Sequence, residues 1–185
     1  MKRFFLYTYD KFQNYSISKR GGVFGTRKDA TGLETKVKKL HAGDIILIRN
    51  GTAKYSIEFF GYCIVCGTVF DHNSWSPFCD LLWHDELVVG KVIYPMRVAV
   101  NFEDVPRLCL DRITWDSLDE LRFSNLCRSP LRGRQAWAKK FMGNFIENPD
   151  EVDAFSRLIG WTQSDITQHG SVGSHTDNSA PSRLM

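Results

Sequence analysis

Short apolar runs of strand length, separated by glycines and polar turn residues, dominate the first hundred residues of this chain. They are rich in aromatic and β-branched side chains, as strands are. A longer run at residues 57–70 contains Gly61 and Gly67, which suit the bends that curl a sheet into a barrel. The other three runs lie at residues 3–8, 44–49 and 92–102.

Helical patterns are few and short. The pattern predicts helices at residues 11–18, 33–40 and 135–146, and another from Asn148 to Ile159, where Pro149 stands near the first turn. Residues 71–90 are predicted to be irregular. Pro95 is expected to restrict its strand to a sheet edge or a bulge. The pattern therefore favours an α+β fold, in which short helices flank a small curled sheet or open β-barrel.

The composition is that of one domain with a core of its own. The chain has 185 residues, of which 43% are hydrophobic. We expect this domain to span residues 1–161. Residues 162–185 are rich in Ser, Gly, Thr and Asn, and we expect a disordered tail or a linker. No apolar run is long enough to span a bilayer and no signal peptide is predicted, so we expect a cytosolic or nuclear protein without a membrane partner.

Five cysteines are unevenly spaced, which predicts reduced thiols rather than a disulfide framework. Cys63 and Cys66 have the spacing of half a zinc site. In a strand, however, positions three apart point to opposite faces and cannot share one metal ion. We therefore expect neither a metal nor a cofactor.

The net charge of +3 conceals a strong segmentation along the chain. Residues 1–50 have 11 basic and 4 acidic side chains, and residues 122–140 have 6 basic and no acidic ones, whereas acidic residues prevail in 51–121 and 141–185. If the fold joins the two basic segments, they form a positive face suited to phosphates. For the lysines near residue 38, the solvated side of a helix is the alternative. The candidate phosphate-binding residues are Arg27, Lys28, Arg128, Arg132, Arg134 and Lys139.

Six short segments follow one another along the chain: RFFLYT (3–8), GVFGT (22–26), LHAGDIILI (40–48), FGYCI (60–64), VIYPMRV (92–98) and WAKKFMG (137–143). In this order they resemble the EVE domain, a branch of the PUA-like superfamily related to the YTH readers of methylated adenine and to McrB-like N-terminal specificity domains. The resemblance covers about residues 3–160 and implies a PUA/EVE/YTH-like curled sheet with a concave pocket, in which aromatic side chains hold a flipped base.

The resemblance also implies roles for particular residues. Phe24 would be the first aromatic wall, where the family more often has Trp, and Gly25 and Thr26 would line the pocket floor. Trp83, or alternatively Trp75, would be the second wall. For each aromatic residue, burial in the core is the competing interpretation. Two further residues, Tyr9 and Asp10, fall near a polar position that contacts the base edge in YTH relatives.

These features lead to the hypothesis of a non-enzymatic reader of modified DNA or RNA, with a flipped, methylated base in the pocket and a basic rim on the phosphates. In one variant it is the specificity module of a modification-dependent restriction system, fused to or associated with a motor or nuclease domain. One alternative is an ASCH-like hydrolase or ribonuclease that uses His84, Asp85 and Glu86 in acid–base chemistry, although a solvated loop is the competing interpretation of that triplet. Another alternative is a protein-interaction module.

Overall fold

The computed structural model describes residues 3–27, 32–53, 56–71, 82–114, 116–117 and 143–161. The strands in these ranges are β1 (Phe4–Tyr9), β2 (Val23–Thr26), β3 (Ile45–Asn50), β4 (Phe59–Val65), β5 (Phe70–Asp71), β6 (Met96–Asn101) and β7 (Asn144–Ile146). The helices are α1 (Phe12–Gly21), α2 (Leu33–Val37), α3 (His84–Val89) and α4 (Pro149–Leu158), with a 3-10 turn at Leu110–Arg112. None of the described helices is long and apolar enough to cross a membrane.

The strands form one mixed, curled sheet in the order β2-β6-β4-β3-β1-β7, and β5 also pairs with β6. Strands β1 and β3 are parallel, whereas the other pairs are antiparallel. The parallel pair puts the carboxyl ends of β1 and β3 at the same edge of the sheet, where Tyr9 stands opposite Asn50. The predicted α+β fold, a small curled sheet with short helices, is confirmed.

Alternating side chains on β1 divide the core into two layers. Phe5, Tyr7 and Tyr9 face the concave interior, together with Phe24 of β2. Phe4 and Leu6 face the convex side, where α4 covers them. Each fully buried aromatic or aliphatic side chain contributes about 1.5 to 3 kcal/mol, so both layers hold the sheet in its curled form.

The long strand predicted at residues 57–70 is irregular near both predicted bend positions, Gly61 and Gly67. The run is divided at Gly67 into β4 and β5, so its two parts pair with different lengths of β6. Near Gly61 the register between β3 and β4 shifts, because Ile48 pairs with Gly61 whereas Arg49 pairs with Phe59.

Three expectations about secondary structure are wrong. The end of the helix predicted at 135–146 is strand β7, which pairs with β1; residues 135–142 lie outside the described ranges. The segment predicted to be irregular contains α3. The strand after Pro95 is not an edge strand, because β2 lies on one side of β6 and β4 on the other. Pro95 instead stands just before the first residue of β6, where a ladder N–H is not needed.

Two local predictions are confirmed. Helix α4 begins as predicted, because the Asn148 side chain accepts a hydrogen bond from the Asp150 N–H (3.0 Å). Cys63 is buried and Cys66 is exposed, as the alternation of a strand requires. The predicted tail at residues 162–185 and the domain boundary before it lie outside the described residues and stay predictions.

Candidate functional site

The structure brings most of the predicted pocket residues together at the interior end of β1 and β2. The Tyr9 hydroxyl donates a hydrogen bond to the Gly25 carbonyl (3.1 Å) and accepts one from the Gly25 N–H (3.2 Å). It also shares a hydrogen bond with the Ser18 hydroxyl (3.1 Å), to which the Trp83 indole N–H donates (2.9 Å). We call this group, with the adjacent rings of Phe24 and Tyr94, the Trp83 cluster.

Gly25 is required in this cluster by the indole packed against it. A Cβ atom at position 25 would lie 2.3 Å from Cη2 and 2.6 Å from Cζ2 of Trp83. The Trp83 ring therefore fills the space that any side chain at position 25 would occupy.

The expectation that Phe24 and Trp83 wall an open cleft is wrong for this structure. Both side chains are 0% exposed, and Tyr9 is 1% exposed. Burial in the core, the competing interpretation of each ring, therefore holds. The physical reason is the absence of a side chain at Gly25, which lets the indole pack onto the backbone of β2.

A buried ion pair lies beside the cluster. The Glu86 carboxylate and the Arg97 guanidinium are both 0% exposed, with 3.4 Å between Oε2 and Nη2. The Arg97 guanidinium lies 5.1 Å from the centre of the Trp83 ring. Four backbone N–H groups donate to the Glu86 carboxylate, those of Leu82, Trp83, Ile93 and Tyr94.

Sequence reasoning missed this ion pair. The solvated-loop interpretation of His84, Asp85 and Glu86 is wrong, because these residues begin α3 and Glu86 is fully buried. Glu86 faces the core, where its carboxylate bonds to backbone N–H groups and to Arg97, whereas His84 is exposed. A signal was present, since a glutamate at the third position of a helix commonly accepts from the backbone N–H before the helix.

Tyr94 lies between the Glu86–Arg97 ion pair and two side-chain oxygens that lack hydrogen-bond partners among the described residues. Its hydroxyl donates to Asp85 Oδ2 (2.7 Å) and accepts from the Asn14 amide (3.0 Å). Burial, and then the bond to Asp85, raise the pKa of Tyr94 well above its usual range, so the hydroxyl stays protonated. The side-chain oxygens that these two partners do not use toward Tyr94, Asn14 Oδ1 and Asp85 Oδ1, are buried and have no hydrogen-bond partner among the described residues.

Thr26 has a third such oxygen. Its side chain is 0% exposed, and its hydroxyl has no hydrogen-bond partner within the described part of the chain. Thr26 follows Gly25 and stands opposite Met96, two residues after Tyr94. A buried polar atom without a partner costs about 1 to 3 kcal/mol, so native proteins retain few of them.

The rim of the site is only partly described. Arg27 is exposed, and its guanidinium lies 5.9 Å from the centre of the Tyr94 ring. Asp10 is also exposed, just after the end of β1. The remaining predicted site residues lie outside the described ranges: Lys28, Trp75, Arg128, Arg132, Arg134 and Lys139.

Comparison with known proteins gives structural likenesses alone. No protein-family model matches the sequence, and no curated protein matches it. The solved structures that resemble the chain include the YTH domain of Zygosaccharomyces rouxii MRB1 in complex with N6-methyladenosine RNA, at 16% identity and a TM-score of 0.36. The match covers 55% of this chain and 57% of that one, so it spans little more than half of the YTH structure.

Two other similar structures have lower identity and greater coverage. A structural-genomics protein from Pseudomonas putida has 11% identity and a TM-score of 0.45, and a protein from Pseudomonas syringae has 12% identity and a TM-score of 0.44. Each match covers 85% of this chain and 99% of the other.

Proposed function

We propose that this chain is a non-enzymatic nucleic-acid-binding protein that recognises a single modified base, extruded from its strand, at the Trp83 cluster. One observation carries the proposal. Within the described residues, the side-chain oxygens of Asn14, Thr26 and Asp85 are buried without hydrogen-bond partners, and Asn14 and Asp85 bond through their other polar atoms to Tyr94, a ring of the cluster. Acceptors of this kind suit the amino or methylamino hydrogens on the edge of a base.

The free-energy cost of extruding a base and the free-energy gain from stacking it in the cluster are of similar size. Extruding a base costs a few kcal/mol, and stacking on aromatic side chains returns about 1 to 3 kcal/mol per base. Hydrogen bonds to the three oxygens would add selectivity, because a base without matching donors leaves them unsatisfied. Affinity would then come from phosphate contacts, to which the exposed Arg27 can contribute.

The burial of the rings adds a conformational step. Because Trp83 is fully buried, a base can enter only when a ring of the cluster moves. The binding-competent state is therefore a minor one, and the apparent affinity falls in proportion to its population. We expect the indole N–H resonance of Trp83 to shift when a modified strand binds.

The substitution Thr26→Val tests the site with little change in shape. It removes a hydroxyl that has no partner among the described residues, so we expect the melting temperature to stay the same or rise. We expect the preference for the modified over the unmodified base to fall about five- to tenfold. The measurement is a binding screen of short DNA and RNA strands, single and duplex, each with and without base methylation.

The matched control is Thr35→Val, which removes an exposed hydroxyl on α2 and should change neither quantity. If the unaltered protein bound every modified strand no better than its unmodified counterpart, the proposal would be wrong. The same screen decides between DNA and RNA. A role in a modification-dependent restriction system is a further prediction, which requires preference for modified duplex DNA.

A further inference from the structure

A second set of incompletely bonded polar atoms lies on the convex face of the sheet. Thr8 of β1 and Arg49 of β3 are register partners in the parallel pair, so their side chains share one face. Alternation puts them on the face of Phe4 and Leu6, opposite to the Trp83 cluster. Both stand next to the last residue of their strand, near Asp10.

Arg49 is a buried cation with unused hydrogen-bonding capacity. Arg49 is only 8% exposed, and its Nη2 donates a hydrogen bond to the Ala53 carbonyl (2.8 Å). Nε is buried and has no hydrogen-bond partner among the described residues. Asp10 and Glu58 are acidic groups that act on its charge, yet neither forms an ion pair with it within the described ranges.

Thr8, on the neighbouring strand β1, also has a buried polar atom that lacks a hydrogen-bond partner among the described residues. The Thr8 hydroxyl oxygen is buried and has no partner in the described part of the chain. A guanidinium stays charged at every physiological pH, and leaving one of its donors buried and unbonded is unfavourable. Register partners on one face thus have a guanidinium N–H and a hydroxyl, and both groups can donate hydrogen bonds to a tetrahedral oxyanion.

We propose that Thr8 and Arg49 bind a phosphate group of a nucleic-acid backbone, at a contact separate from the base site. The identity of the ligand rests on the proposed function. Tyr9 connects the two sites, because its side chain enters the Trp83 cluster while its neighbour Thr8 faces the convex side. A strand that crosses the end of β1 would thus present a base to one face and a phosphate to the other.

Three variants test the contact by affinity for an unmodified single strand over a range of salt concentrations. Arg49→Gln is expected to reduce affinity roughly tenfold at about 0.1 M salt and to lower the salt slope by about 0.7. Thr8→Val should reduce affinity about threefold while thermal stability stays equal or rises, since an unpaired hydroxyl is removed. Glu58→Gln should tighten binding about twofold, because it removes a negative charge near Arg49.

A direct measurement accompanies these variants. The Nε–H resonance of Arg49, assigned by triple-resonance NMR of the unaltered protein, should shift when the unmodified strand is added. Titration with inorganic phosphate should shift it less at equal phosphate concentration, because the strand makes other contacts as well. A shift with inorganic phosphate and none with the strand would overturn the proposal in favour of a free-phosphate site.

The outcomes separate this proposal from the proposed function. If Thr8→Val and a folded Arg49→Gln both bind with unaltered affinity and salt slope, the phosphate contact is wrong whatever the base preference. If Arg49→Gln does not fold, Thr8→Val and the Nε–H titration of the unaltered protein decide. A protein that binds unmodified strands through Arg49 without preferring any modified base would retain the phosphate contact and lose the base site.

Discussion

The substitution Glu86→Ala is expected to lower the free energy of unfolding by about 3 to 5 kcal/mol. It removes the carboxylate that faces Arg97 inside the core, and breaking a buried pair from one side has an effect of this size. It also withdraws the acceptor from four backbone N–H groups. A domain of this size is stable by about 5 to 15 kcal/mol, so the variant loses a large part of its margin.

Urea denaturation measures the change, and Glu103→Ala is the matched control. Glu103 is exposed, so its substitution should stay within about 0.5 kcal/mol of the unaltered protein. The double variant Glu86→Leu with Arg97→Met should be more stable than Glu86→Ala alone, because apolar residues can replace a buried ion pair. A loss below about 1 kcal/mol in Glu86→Ala would contradict the structural role assigned to this carboxylate.

Strands β1 and β3 were predictable because each is a short apolar run bounded by polar or turn residues, whereas β2 and β7 were not predicted as strands. Residues 3–8 and 44–49 match β1 and β3 to within a residue, since both are apolar on two faces and too short for a buried helix. The run around Phe145 was not predictable in this way. Its spacing from Trp137 and Phe141 indicates a helix, yet Gly143 adopts a φ of +70° and β7 then pairs with β1. A tertiary contact decides such short runs, and local periodicity does not contain it.

Part of the Trp83 cluster could be predicted, whereas the contributions of Ser18 and Tyr94 and the closure of the cluster could not. The resemblance brought Tyr9, Phe24, Gly25 and Trp83 into one site, and the structure places them in contact. Whether the indole opens a cleft or fills it depends on contacts from distant segments. The Ser18 hydroxyl accepts a hydrogen bond from the indole N–H, and the Arg97 guanidinium lies beside the ring. Neither contact follows from the spacing of residues along the chain.

The partnerless oxygens could not have been found from sequence either. Threonine at position 26 or 8 is an ordinary strand residue, and only the environment of its hydroxyl distinguishes it. Removing either hydroxyl therefore has opposite expected effects on stability and on binding. That opposition is typical of sites at which a ligand, rather than the folded chain, satisfies a buried polar group.

The substitution Gly25→Ala is expected to lower the free energy of unfolding by about 1 to 3 kcal/mol. The added methyl group would lie within 3.0 Å of three atoms of the Trp83 ring. The ring cannot rotate away without losing its hydrogen bond to Ser18, and the Tyr94 ring also packs against it. Strand β2 or the indole must therefore shift, and the Trp83 indole N–H resonance should move as well.

The matched control is Gly21→Ala at the last residue of α1, where an added Cβ has no atom within 4 Å. Alanine is favoured over glycine in a helix, so this variant should be as stable as the unaltered protein or slightly more so. Thermal melts of both variants give the comparison. Equal stability of Gly25→Ala and Gly21→Ala would mean that the indole does not rest on the backbone of β2. The closed state from which we infer a ring movement on base entry would then be wrong.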